Sequence, residues 1–264
     1  MIEQFILGMI QGVAEWLPVS SEGLILLAKT NLFAGDEGFM LTIRQALFLH
    51  LGTFLAALLY FRLEVITLIK SLFSYRKQPA ETQKLLTFLI ISTLLSGVLG
   101  YLLLLGVGKM SDHFEQTGRS ITLLIGLLLI ITGSLELKAK RGGYKEISEL
   151  TLLDGVLLGV AQGFAALPGL SRSGLTVSAL LLRKFNKKAS LKLSFLMSLP
   201  IVLGGNIALN SDLWQWPPET YTGLVASFVF GLLTIHLLLK LADKINFGIF
   251  VLIFAALTIL SVFI

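Results

Sequence analysis

The chain has 264 residues, of which 55% are hydrophobic and 14% are charged, and its mean hydropathy is +0.85. Soluble domains carry about 25% charged residues, so this composition predicts an integral membrane protein without a soluble domain. The sequence contains no cysteine, which excludes disulfides, thiolate chemistry and cysteine-ligated zinc. The net charge of +5 does not indicate a nucleic-acid partner, because topology places lysine and arginine in membrane proteins.

The first half of the chain opens with two short apolar segments, 2–17 and 20–32, which Pro18 separates. The opening segment lacks the basic start and cleavage site of a signal peptide, so we expect it to be retained. Both segments are shorter than the roughly 20 residues that cross a bilayer, which predicts a re-entrant pair. Three runs long enough to span the membrane follow, at about 43–62, 84–106 and 120–138.

The second half has the same order of elements. Two short apolar segments, 153–167 and 171–183, are joined at a turn that contains Pro168. A turn at membrane depth is tolerated only where protein or a water-filled cavity surrounds it. Three further spans follow, at about 189–209, 219–240 and 246–263.

Residues 8–24 and 159–175 are two copies of one sequence pattern. Paired broken segments at matching positions of two halves point to a binding site in membrane proteins. Six residues recur at a constant interval of 151 positions, namely Gly8, Gln11, Gly12, Ser20, Gly23 and Leu24, which match Gly159, Gln162, Gly163, Ser171, Gly174 and Leu175.

The distribution of basic residues predicts the orientation in the plasma membrane. If 62–84 is cytoplasmic, sixteen of the 21 lysines and arginines lie on the cytoplasmic side and four lie outside. The remaining one, Arg172, lies in a re-entrant turn. The first re-entrant pair then enters from the outer side, and the second enters from the inner side.

These features predict an all-α integral membrane protein with one membrane domain over 1–264. Each half contains three spans, and this odd number inverts the second repeat (about 151–264) relative to the first (about 1–140). The fold therefore has six full transmembrane helices and two re-entrant helix pairs. We expect the tips of the two pairs to meet near the midplane and the site to open outward.

The tip of the first pair carries carboxylates and hydroxyls. Gln11 and Glu15 are four residues apart and share one face of a helix. Pro18 ends that helix, and Ser20 or Ser21 is placed to cap the returning helix.

The tip of the second pair carries a cation and hydroxyls. A serine again stands at the N-cap position, and free amides at a helix N-terminus bind anions, above all phosphate. Arginine adds a planar fork that matches phosphate oxygens. This tip is therefore a predicted diphosphate cradle, with contributions from Ser171, Arg172, Ser173, Gly174 and Thr176.

A charge at bilayer depth costs roughly 2.5–3.5 kcal/mol or more, so Glu15 and Arg172 require a reason to be there. The structural alternative is an ion pair between them that holds the two halves together. A third possibility is a transporter, because inverted repeats, broken helices and a midplane anion site are also typical of secondary transporters.

At these tips the chain resembles the undecaprenyl-diphosphate phosphatase family, also called the bacitracin-resistance protein family. LPGLSRSGLT (167–176) is similar to that family's Pro-Gly-x-Ser-Arg-Ser-x-x-Thr signature, and QGVAEWLPVSSEG (11–23) resembles its second motif. The segments 50–58 and 194–205 extend the resemblance along nearly the whole chain. It implies a membrane hydrolase that converts a C55-type polyprenyl diphosphate to the monophosphate carrier and phosphate, in lipid recycling for cell-wall biogenesis.

The sequence departs from the family pattern at two positions. Many members have Glu where this chain has Gln11, and many have His where it has Leu24. Glu22 adds a carboxylate within the turn that replaces the lost charge. His50 is a possible substitute for the lost imidazole, but a histidine in an apolar span is more often a satisfied packing residue.

The resemblance implies the following roles. Glu15 is the general base or a metal ligand, Ser21 is the nucleophile of a covalent route, and Arg172 stabilises the developing charge. Direct attack by a water that Glu15 orients is the alternative route. The predicted phosphate ligands are Gln11, Ser20, Ser171, Ser173, Gly174 and Thr176.

The predicted partners are a polyprenyl diphosphate and the bilayer, and a homodimer is compatible with the sequence. A divalent cation such as Mg²⁺ or Ca²⁺ suits carboxylates and phosphates together. The competing function is a polyprenyl-phosphate flippase or anion carrier, which would need Arg172 and the serines but no catalytic carboxylate.

Overall fold

The computed structural model describes residues 1–33, 39–114, 118–139, 143–211, 216–241 and 247–263. Within these ranges the structure is helical, and its β-structure is limited to one bridge between Lys145 and Phe185. This confirms the predicted all-α class. The helices of the first half are α1 (Ile2–Ala14), α2 (Ser21–Asn31), α3 (Phe39–Tyr60), α4 (Arg62–Phe73), α5 (Ala80–Phe114) and α6 (Gly118–Lys138).

The second half contains five α-helices in the described residues. They are α7 (Leu152–Phe164), α8 (Arg172–Leu182), α9 (Lys187–Leu209), α10 (Pro218–Leu241) and α11 (Phe247–Leu260). Short 3₁₀ turns at Tyr75–Lys77 and Ile147–Glu149 lie in the connections before α5 and α7.

Among the described residues, four helices are long and apolar enough to cross a bilayer, which makes the chain a membrane protein. The 21 residues of Met40–Tyr60 extend over about 31 Å, the thickness of a hydrocarbon core. The other three are Ala80–Gly106, Lys187–Leu209 and Pro218–Leu238. Helices α6 and α11 lie where the sequence predicts the remaining two spans.

The connection at 62–84 differs from the prediction, because it contains helix α4. Apolar residues recur there every three or four positions, and their side chains are exposed on the outside of the protein. Glu64 on another face of α4 pairs with Lys192 of α9 at 3.2 Å. The segment is too short and too charged to be recognised as a span, although its period is helical. The exposed residues are Leu63, Ile66, Ile69, Leu72 and Phe73.

Parts of the orientation prediction fall on chain that lies outside the described residues. These parts are Lys140 and Arg141, Lys244, and residue 246 at the start of the predicted span 246–263.

The helices of the two predicted re-entrant pairs pack through glycines. Helix α1 packs on α10, where a Cβ at Gly8 would lie 2.0 Å from the carbonyl oxygen of Gly223. Helix α7 packs on α5 in the same way, and a Cβ at Gly159 would lie 3.0 Å from the Cα of Ser92. Small residues at matching positions therefore bring both re-entrant helices close to a long helix of the other half.

An ion pair closes the base of each re-entrant pair. Glu3 on α1 lies 3.7 Å from Lys29 on α2, and Asp154 on α7 lies 2.6 Å from Arg183 after α8. Asp154 also accepts hydrogen bonds from the backbone N–H and the hydroxyl of Thr151, the N-cap of α7. The acid stands at the same position of the repeat in both pairs.

Candidate functional site

A small polar cavity lies where the tips of the two re-entrant pairs meet. Its volume of about 20 Å³ is close to that of a single water position. Eight of its lining residues are site residues predicted from the sequence: Glu15, Ser20, Ser21, Glu22, His50, Ser171, Arg172 and Ser173.

The first tip turns through Ser20. This residue adopts the left-handed conformation (φ 61°, ψ 89°), which is uncommon for a side chain other than glycine and marks local strain. Its Oγ accepts hydrogen bonds from the backbone N–H of Gly23 at 3.2 Å and of Gly169 at 3.1 Å. Ser20 therefore caps α2 and also binds the opposite tip.

The second tip turns through Gly169 instead, which has a φ of 103°. Ser171 caps α8, and its Oγ accepts from the N–H of Gly174 at 3.2 Å. The hydroxyl of Ser173 donates to the carbonyl oxygen of Leu17 in the first tip at 2.9 Å. Each tip therefore contributes a serine that bonds to the backbone of the other, and the two tips form one unit.

Glu15 lies at the centre of the polar contacts around the cavity. It stands just after α1 and is 6% exposed. Its Oε1 forms an ion pair with Nη2 of Arg172. This is the pair that, in the structural interpretation of the sequence, holds the two halves together. Its Oε2 accepts from Nε2 of Gln11 at 2.8 Å and from Oγ of Ser21 at 2.9 Å. The Ser21 hydroxyl is thereby oriented by a carboxylate, the arrangement that activates a nucleophile.

Arg172 is held in place by its own helix and by α9. Its Nη1 donates to the carbonyl oxygen of Ser194 at 3.1 Å. The hydroxyl of Thr176 donates to the carbonyl oxygen of Arg172 at 2.8 Å and lies 2.7 Å from Oγ of Ser194. Thr176 is fully buried and lies behind the cavity wall, so its contacts position Arg172.

Two more of the predicted phosphate ligands also lie behind the wall. The N–H of Gly174 is occupied by Ser171, and a Cβ at this position would lie 2.5 Å from Cγ2 of Thr132. Gln11 is fully buried against Glu15 and Thr53. The sequence places these residues in the motif, but only packing decides which of them face the cavity.

His50 has a larger part in the site than the sequence suggests. It lies on α3, and its Nε2 is 3.1 Å from Oε2 of Glu15 and 3.9 Å from Oε1 of Glu22. Leu24, at the position of the family histidine, packs instead against the apolar cluster that contains Leu26 and Ile125. No local spacing links His50 to Glu15, which is 35 positions earlier, so the sequence motif does not reveal their contact.

The donor set does not fit a cation on Glu15, because four N–H or O–H donors or cations already surround its two oxygens. Among the described residues, no three His, Asp or Glu side chains are grouped as metal ligands. Glu22 has a side-chain exposure of 22% and faces the cavity. It is the carboxylate that remains open to a ligand.

A larger apolar groove of about 570 Å³ adjoins the polar cavity, within the size range of ligand sites. Its walls are the outer halves of α3, α5 and α9, as defined by the predicted orientation, together with the end of α7. Four residues line both the groove and the polar cavity and form the junction between them: Ala165 and the three polar residues Glu22, His50 and Arg172.

These features define a polytopic α-helical membrane protein with a charged site buried between the tips of two helical hairpins and an apolar groove beside it. The family model described as "Bacitracin resistance protein BacA" matches residues 4–260. The chain belongs to this family.

Several curated relatives share the name undecaprenyl-diphosphatase. The protein from Methanococcoides burtonii is 42% identical, over 99% of this chain and 98% of its own length. The relative from Haloarcula marismortui is 40% identical, over 92% of this chain and 90% of its own. The relative from Methanothrix thermoacetophila is 35% identical, over 94% and 92%. The match therefore covers both tips and all the helices.

Proposed function

We propose that the chain is a membrane phosphatase that hydrolyses undecaprenyl diphosphate to undecaprenyl phosphate and inorganic phosphate. The observation that carries this proposal is the chain of contacts from the Ser21 hydroxyl through Glu15 to Arg172, at the end of an apolar groove. An oriented nucleophile, a carboxylate base and a phosphate-binding cation are the parts that phosphoryl transfer requires. The names of the relatives favour this function over a flippase.

The substrate opens the site by exchanging partners with Arg172. A cavity of about 20 Å³ is too small for a diphosphate, and the Arg172 guanidinium is occupied by Glu15. A phosphate with its higher charge is a strong bidentate partner for arginine. When it replaces Glu15 there, Oε1 of Glu15 is released and the carboxylate becomes available as a base.

Glu15 then accepts the proton of the attacking group. In the covalent route this group is the hydroxyl of Ser21, which already donates to Glu15 at 2.9 Å. In the direct route it is a water in the position that the cavity provides. Ser20, Ser171 and Ser173 line the cavity and supply further hydroxyls around the phosphate oxygens.

The prenyl tail lies in the apolar groove. Residues 200–209 of α9 extend along it for about 13 Å. The tail meets apolar side chains there, while the diphosphate remains with Glu22, His50 and Arg172 at the junction. This division explains how one site accommodates a charged head and a hydrocarbon chain.

A divalent cation belongs to this proposal as a companion of the substrate. Glu22, together with the diphosphate oxygens, would hold it, since the oxygens of Glu15 are occupied. Such a cation would neutralise part of the diphosphate charge. Chelation followed by titration with Mg²⁺ or Ca²⁺ measures this dependence, and Glu22→Gln is expected to weaken it.

The proposed architecture is a pair of inverted repeats with six spans. These are the four long apolar helices together with α6 and α11. Its support is the pairing of helices. Helix α1 packs on α10 and α7 on α5, while α3 packs on α9 and α6 on α11. If each helix is replaced by its counterpart in the other half, the same set of helix pairs results. A homodimer remains a prediction, which light scattering of the detergent-solubilised protein tests.

We propose that the site opens to the outer face of the cell membrane. The chain has no native cysteine, so single cysteines report sidedness cleanly. Ser211→Cys, after the outer end of α9, is expected to react with a membrane-impermeant maleimide on intact cells. Arg76→Cys, in the connection 62–84 that is predicted to be cytoplasmic, is expected to react only after lysis. The reverse pattern would contradict this orientation.

The decisive experiment measures phosphate release from undecaprenyl diphosphate by the purified protein. Glu15→Gln removes the base and is expected to lower the rate about 10²–10⁴-fold. Glu64→Gln, the same change at the partly exposed partner of Lys192, serves as the matched control and is expected to retain activity. Failure of the wild type to release phosphate, combined with lipid movement across vesicles, would instead establish a flippase.

A further inference from the structure

We propose that His50 is a catalytic residue, the general acid that protonates the leaving undecaprenyl phosphate. This inference rests on the proposed phosphatase function and assigns the second proton transfer of that reaction. The first observation is its position, since it lies at the junction of the polar cavity and the apolar groove. A diphosphate that crosses this junction has its bridging oxygen beside His50.

The contacts of the ring determine its protonation state. Nδ1 of His50 lies 2.7 Å from the carbonyl oxygen of Ala46, which can only accept, so Nδ1 carries a proton. Nε2 lies 3.1 Å from Oε2 of Glu15. That oxygen already accepts from Gln11 and Ser21, so it belongs to a carboxylate and Nε2 must be the donor. With both nitrogens protonated, His50 is an imidazolium.

The proton balance of the reaction then closes within the site. The oxygen of Ser21 or of water bonds to the terminal phosphorus as the bond from that phosphorus to the bridging oxygen breaks. The proton of the attacking group passes to Glu15, and the Nε2 proton of His50 passes to the bridging oxygen, which leaves with the lipid phosphate. Glu15 then returns its proton to His50 across the 3.1 Å contact. On the Ser21 route, a water next bonds to the phosphorus as the bond from phosphorus to the Ser21 oxygen breaks. The proton of that water passes to Glu15 and from Glu15 to the Ser21 oxygen, and inorganic phosphate is released.

A substrate with sulfur in the bridging position tests this role, because the lipid thiophosphate leaves with its negative charge on sulfur and needs no protonation. His50→Gln keeps an N–H near the Nε2 position but cannot transfer a proton. It is expected to lower phosphate release from the natural diphosphate by about 10²-fold or more. With the sulfur-bridged substrate, the gap between this variant and the wild type is expected to close.

Two further variants guard against a folding artefact. His50→Asn keeps a donor for Ala46 and is expected to show the same substrate dependence. His236→Gln is the matched control, because this histidine does not line the cavity. Its Nδ1 lies 3.3 Å from the hydroxyl of Tyr60. Thermal unfolding in detergent verifies that all three variants are folded.

The outcomes separate this inference from the proposed function. Equal losses on both substrates would show that His50 only positions Glu15 and would overturn its role as an acid, as would an unchanged rate. A wild type that releases phosphate from neither substrate overturns the phosphatase itself, and the role of His50 falls with it.

Discussion

The two re-entrant tips have the same framework and different chemistry. In both, a serine caps the returning helix and accepts the N–H of the glycine three residues later, at 3.2 Å. The residue after the cap is Ser21 in the first tip and Arg172 in the second, at matching positions of the repeat. Glu15 has Ala166 as its counterpart. In the proposed mechanism, one copy carries the nucleophile and the base, and the other carries the cation.

This difference teaches why the site needs both halves. A carboxylate and a guanidinium buried in a membrane protein are each costly alone, and placing them on opposite tips satisfies both only when the halves meet. The ion pair between Glu15 and Arg172 therefore also holds the two halves of the chain together.

Removing the cation of the second tip has the largest expected effect. Arg172→Ala is predicted to lower phosphate release by about 10³-fold or more, because the charge that meets the phosphate is lost. Arg172→Lys is expected to rescue poorly, since a point charge replaces a planar fork. Arg62→Ala on the exposed surface is the control. A normal rate for Arg172→Ala would refute the cradle.

The hydroxyl at the matching position of the first tip comes next. Ser21→Ala is predicted to lower kcat by about 10²-fold, because its hydroxyl is the one directed at the base. Ser173→Ala is expected to lose less, since that hydroxyl donates to the backbone of Leu17. Kinetics of phosphate release compare the two variants, and a Ser21→Ala rate near wild type would assign the attack to water.

The two cap serines allow a comparison of stability. Ser20→Ala leaves the N–H groups of Gly23 and Gly169 without their acceptor, and each buried donor costs about 1–3 kcal/mol. Ser171→Ala removes the acceptor of one N–H, that of Gly174, together with weak hydroxyl contacts to Ser173 at 3.2 Å and to the carbonyl oxygen of Leu17 at 3.5 Å, a loss of about 1 kcal/mol. Thermal unfolding in detergent is expected to show the larger decrease for Ser20→Ala. Equal decreases would show that the contact between the tips contributes nothing.

The ion pairs at the bases of the two hairpins include the smallest expected effect. Arg183→Gln deprives Asp154, which is fully buried, of its cation and is predicted to cost about 1–3 kcal/mol. Glu3→Gln changes a pair whose acid has a side-chain exposure of 36%, and it is predicted to cost about 0–1 kcal/mol. Unfolding of the two variants side by side checks this order, and a larger cost for Glu3→Gln would contradict it.

Much of the fold could be predicted because its signals are local. Runs of apolar residues define long helices, and the structure has helices at all the predicted segments. Pro18 and Pro168 mark the two turns, and the capping serines follow them. Helix α4 was not predicted, because a search for apolar runs of membrane-spanning length passes over a short amphipathic segment that contains charged residues.

The sequence by itself determined the membrane class, the helices, the two similar tips and most of the residues that line the candidate site, since these depend on composition and on spacing along one helix. Only the tertiary structure decided that His50 meets Glu15, that Thr176 supports Arg172 from behind, and that the tips lock together. Such contacts join residues on different helices. They depend on how the helices pack, and no local sequence pattern encodes the distance between residues on different helices.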